Sequence, residues 1–166
     1  MGIPKRSAPL IEQRIESLYR KQGILTPGDV TLHAFDSEAN IRVIHRSGRT
    51  YVSEEPEGLW IIWLQSDLSL PERRMCIAHE IGHILMHSGN QMWISEYRRG
   101  KQESQAWHFA FYALAPSYMV IPALRDASDC PKTAACELAE LFCVPEIFMV
   151  DRLKLLEHDF PYGFDE

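Results

Sequence analysis

Residues 76–87, CIAHEIGHILMH, constrain this chain more than any other stretch. They set His79, His83 and His87 four residues apart, with Glu80 directly after the first. On an α-helix, residues four apart share a face about one turn apart, so His79 and His83 offer two imidazoles to one point. Zinc takes ligand nitrogens at about 2.1 Å in a tetrahedral set, and this spacing provides two of them. Glu80 can reach the open side of such an ion and accept a proton from its water. The alternative is a helix that merely happens to carry histidines. That reading leaves two half-buried imidazoles without partners, which costs free energy. The apolar flanks CIA and IL place the helix half in the core.

A third ligand is needed. His87 lies one further turn along, about 6 Å too far up the helix axis to share the ion. The extended pattern HExxHxxGxxH, in which a glycine bend brings in a later histidine, fails here because Met86 and Gly89 stand at its last two fixed positions. His87 is then a cleft-lining residue or a cation at the helix end. Glu103 is the better candidate. It opens ESQAWHFAFYALAP, a helical stretch beginning twenty residues after His83, far enough for the chain to return antiparallel. Phe109, Ala110, Ala113 and Leu114 are expected to face the core, and Ala106 is small enough for close approach. Glu103, one turn before Ala106, then points at the metal. Glu96 competes but sits in a polar connection, and His108 competes but is turned away from that face.

The surrounding chain reads as helix, small sheet, then helices, which makes an α+β fold. SAPLIEQRIESLYRKQG is a helix with Ser7 as cap and Gly23 at its exit. TPGDVTLHAFDSEAN is expected to form a second short helix capped by Thr26. NIRVIHR and RTYVSE flank Ser47-Gly48, a hairpin signal, and GLWIIWLQ reads as a buried strand or as an edge that takes an extended peptide. Ser69 and Glu72 make a capping box for the histidine helix, and Ser88-Gly89-Asn90 ends it. QMWISEYRRGKQ is expected to be a polar connection. The remainder is helical, broken at Pro122 and around Cys130-Pro131, and closes with two helices joined near Val144-Pro145.

Several partner classes are disfavoured. Net charge is −6, a poor footprint for nucleic acid. The closing helices have a helix-turn-helix rhythm, but segment 131–157 carries three basic residues against five acidic ones, so a packing or protein-recognition role is expected instead of DNA reading. No apolar run reaches membrane-spanning length, and MGIPKRSAPL lacks a signal-peptide core. Arg6 breaks the myristoylation pattern that Met1-Gly2 opens. Cys76, Cys130, Cys136 and Cys143 form no CxxC pair and read as free buried thiols of a reducing cytoplasm.

HEIGHILMHSGNQ, ESQAWHFAFYALAP and ELAELFCVPEIFMVDRLKLL together resemble the ImmA/IrrE family of HExxH metallopeptidases, phage and mobile-element members included, over about Leu18 to Leu156. HExxH alone is shared by many families; its combination with ExxAxxFA and a following proline is far more specific. The resemblance implies zinc held by His79, His83 and Glu103, with Glu80 as base. It implies a zincin-like small antiparallel or mixed sheet beside the HExxH helix. A metallopeptidase domain is expected over 1–120, with a helical extension over 121–166 packed on it in one compact unit. It also implies a cut in a helix-turn-helix transcriptional repressor. This chain departs from the family in having Trp107 where an asparagine often follows the motif alanine, which keeps the ligands but removes a local amide. Peptide hydrolysis also needs a donor for the developing oxyanion, and His87, Tyr97, Tyr112 and Tyr118 are candidates. The rival reading is a zinc-stabilised protein that docks a repressor without cutting it. Such a site would close its fourth position and would not need Glu80.

Overall fold

The computed structural model describes residues 9–36, 38–86 and 96–161. Among these the chain is mostly helical, with a small mixed sheet, the expected α+β class. Helix α1 spans Leu10–Lys21 and leaves through Gly23, whose φ of 74° is open to glycine at no steric cost. Ser7, the expected cap, lies outside the described residues. The expected second helix is instead two 3-10 turns, Pro27–Asp29 and Leu32–Phe35. The Asp29 carboxylate accepts from Thr26 N–H at 2.9 Å and Thr26 Oγ1 at 2.8 Å, so side-chain bonds close the first turn before an α-helix can propagate.

Three strands follow: β1 (Asn40–Arg46), β2 (Tyr51–Glu55) and β3 (Leu59–Gln65). The expected β1–β2 hairpin does not form. The sheet order is β1-β3-β2, with β3 parallel to β1 and antiparallel to β2. The short link after β1 therefore passes over the end of β3, where Gln65 N–H donates to Thr50 Oγ1 at 3.2 Å and Ser66 N–H to the Arg46 carbonyl at 3.0 Å. The apolar run LWIIWLQ explains the swap, since the most hydrophobic strand takes the centre. β3 is thus no edge for an incoming peptide. Its alternation turns Ile62 and Leu64 inward, both fully buried.

Helix α2 (Leu70–Met86) carries the histidines. Its start is fixed as expected, with the Glu72 carboxylate accepting from Ser69 N–H at 2.8 Å and Ser69 Oγ at 2.6 Å. The expected end at 88–90 lies outside the described residues. Helix α3 runs Glu96–Leu114, so helix already occupies the second half of the supposed polar connection. Helices α4 (Ser117–Asp126), α5 (Pro131–Phe142) and α6 (Glu146–Asp159) complete the described residues. Pro122 does not break α4, because its loss of one donor is outweighed by a first turn anchored through Ser117 N–H to the Glu12 carboxylate at 2.6 Å. The four cysteines are unpaired, as expected, but none is buried: Cys130 and Cys136 are exposed, and Cys76 and Cys143 half-buried. The helical face of α5 carrying Cys136 is simply turned outward.

One apolar core joins Ile15 and Tyr19 of α1, Ile62 of β3, Ala78 and Ile81 of α2, Phe109 and Ala113 of α3, Leu138 of α5 and Phe148 of α6. A second, polar node sits inside it. Arg152 and Glu12, 0% and 1% exposed, meet at 3.1 Å. Arg152 also donates to the Ala115 carbonyl at 2.7 Å and Ser117 Oγ at 2.8 Å. No helix among the described residues is long and apolar enough to cross a membrane.

Candidate metal centre

The centre is built where α2 crosses α3. A Cβ on Gly82 would stand 2.8 Å from the Ala106 carbonyl oxygen and 2.9 Å from its Cα, so only glycine allows this approach. Ala106 is fully buried, as its small size requires. With the backbones this close, Glu103 on α3 reaches across to α2. Its carboxylate oxygens lie 3.3 Å from His79 Nε2 and 3.4 Å from His83 Nε2, and the two Nε2 atoms are 3.1 Å apart. His79, Glu103 and His83 are the group of potential metal ligands found among the described residues, with one ligand atom of each within 4.8 Å of the others.

The spacing can be tested against a zinc site. An ion about 2.0–2.1 Å from tetrahedral ligands places those ligands about 3.3 Å from one another. The three observed separations straddle that figure. Two imidazoles and a carboxylate are also a donor set zinc accepts, and one ligand atom of each lies within 4.8 Å of the others. The His79 imidazole is held in the form that ligates as well. Burial, with the neighbouring His83, pushes His79 well below the usual histidine range and so keeps it neutral, the form that ligates.

Glu80 follows His79 but is not part of the ligand cluster. Burial, and then the Glu103 carboxylate, push its pKa up to about 7. A carboxyl poised there exchanges a proton readily near neutral pH.

Of the four candidate oxyanion donors, the two with described side chains, Tyr112 and Tyr118, bond away from this cluster. Tyr112 stands nine residues after Glu103, half a turn round the helix, and its hydroxyl donates to Asp159 at 2.9 Å. The Tyr118 hydroxyl donates to the Ile24 carbonyl at 3.0 Å. His87 lies outside the described residues, as does the side chain of Tyr97. The same holds for the Glu96 side chain. His108 is not in the cluster and its ring lies instead beside Tyr112, centroids 6.3 Å apart.

Two residues escaped the sequence reading. Gly82 looks like one more small residue inside HExxH, and its role exists only because another helix crosses there. Trp107 reads in the sequence as a departure from the family motif, and nothing in that motif encodes its contact. Its ring packs on His79 with centroids 4.3 Å apart and planes tilted 38°. The only advance signal was its place one turn after Glu103, on the same stripe of α3.

Comparison with known proteins adds an independent line. A protein-family model, Peptidase_M78, described as the IrrE N-terminal-like domain, matches residues 32–154. That span takes in the sheet, the whole cluster and most of α6. A search of curated proteins gave no match.

Proposed function

The chain belongs to the Peptidase_M78 family of IrrE N-terminal-like domains, and from that premise we propose that it is a zinc-dependent endopeptidase making a selective cut in a regulatory protein. The observation that carries this reading is the convergence of His79, His83 and Glu103 with Glu80 beside them. Zinc bound there would supply Lewis acidity, polarising the scissile carbonyl and making a water easier to deprotonate. The protein does the rest. His79 and His83 come from one face of a half-buried helix, so their geometry is set before any substrate arrives. Glu103 adds the negative charge that a dication needs. Glu80 takes the proton from the attacking water and passes it to the leaving amine, a task its raised pKa suits.

The substrate in this proposal is a helix-turn-helix repressor, and its support is the resemblance of the motifs to ImmA/IrrE peptidases. The four free cysteines fit work in a reducing cytoplasm. The test is to incubate the zinc-loaded protein, and Glu80→Gln beside it, with repressors encoded next to its gene. A discrete fragment from the wild type and none from the variant is the expected result. Binding by both proteins with cleavage by neither would favour the docking reading.

A further inference from the structure

We propose that Trp107 is a positioning residue which holds the His79 imidazole at its working angle by ring packing, in the place usually filled by a hydrogen bond. The proposal rests on the reading of the cluster as a metal site. A ligating imidazole has one nitrogen for the metal and one N–H to spare, and the partner of that N–H normally fixes the ring's rotation. Here the spare nitrogen, His79 Nδ1, is buried and has no hydrogen-bond partner among the described residues. Among the described residues, ring contacts are left to limit its turning. Besides the edge of His83, the contact that can do so is the Trp107 ring, its centroid 4.3 Å away and its plane tilted 38°.

That indole is itself held. Glu103, Trp107 and Phe111 stand at i, i+4 and i+8, one stripe along α3. Phe111 backs Trp107 with centroids 6.1 Å apart, and Phe148 of α6 backs Phe111 at 4.7 Å. A row of rings thus runs from α6 to a ligand of the site. The same α3 stripe delivers the third ligand and the wedge that orients the first, so a single helix sets both.

The test measures zinc affinity by chelator competition, with the thermal midpoint of the metal-free protein recorded for every variant. Trp107→Ala and Trp107→Leu are expected to weaken zinc binding by about 10–100-fold, the range seen when a ligand's orienting partner is lost. Trp107→Phe restores a ring face and is expected to keep most of the affinity. The midpoint of metal-free Trp107→Leu should stay near that of Trp107→Phe, since both keep apolar bulk. Wild-type affinity in Trp107→Ala overturns the proposal and leaves the metal-site reading intact. Equal losses in the Phe and Leu variants overturn it too, because the ring would then not matter. If the wild type binds no zinc, or His79→Ala binds it as tightly, the metal-site reading falls and takes this proposal with it.

Discussion

At the scale of single residues, chemistry and position separate cleanly. Glu80→Gln keeps the shape of the side chain but cannot accept a proton near neutral pH. Its expected outcome is wild-type zinc content, an unchanged thermal midpoint, and cleavage slower by about 10²–10⁴-fold in a side-by-side repressor assay. Glu103→Ala is expected to do the opposite and lose the metal, which elemental analysis after gel filtration would read. Retention of stoichiometric zinc by that variant would move the third ligand elsewhere. These residues were legible in the sequence for a simple reason. His79, Glu80 and His83 are related by helix geometry alone, and Glu103 by that geometry plus one antiparallel return. Trp107 and Gly82 matter through contacts across the crossing, and no periodicity within one helix encodes what another helix brings.

Elements were legible where local bonds decide them, and not where competition does. The capping of α2 by Ser69 and Glu72 was visible three residues apart, and the pair makes the expected bonds. Ser69→Ala should lower the thermal midpoint, and the loss should depend on pH. The bonds from Ser69 hold the Glu72 carboxyl below its ordinary value. A carboxyl depressed in the folded state stabilises above its unfolded pKa and stops doing so as pH falls through its folded one. The gap between wild type and Ser69→Ala should therefore be widest near neutral pH and close in acid; a constant gap would argue against this origin. Gly82→Ala tests the crossing itself. The added methyl meets α3 backbone, so the helices must part, at a cost of about 1–3 kcal/mol before the roughly 1 kcal/mol helix-propensity gain of alanine. Because Glu103 lies one turn from Ala106, this variant should also bind zinc more weakly, which a simple stability effect would not produce. The strand order, by contrast, was hidden. Ser47-Gly48 suits a hairpin, and only the rival claim of the more apolar β3 on the centre decides against it.

For the whole molecule, the buried Glu12–Arg152 pair ties the first helix of the described chain to the last. Its partners on the α3–α4 corner, Ala115 and Ser117, bind all three pieces at one node. Arg152→Ala strands the Glu12 carboxylate in the core and should cost about 3–5 kcal/mol in urea unfolding, while Glu12→Leu with Arg152→Met recovers much of it. An equally damaged double variant would place the loss in packing instead of charge. With that node intact, the described helices and sheet are expected to unfold in one transition. The sheet has a further consequence in time. Asn40 pairs with Leu59, and the chain between them must already have laid out β2. As the polypeptide leaves the ribosome, β1 and β2 emerge first and have no partner in each other. The strand that satisfies both arrives last and must enter between them. Until it does, two open strand edges face whatever other chain is near. The order of synthesis thus makes the interval before residue 65 the moment of greatest exposure to wrong pairing. Slowed elongation in that interval would raise aggregation, even though the finished fold is unchanged.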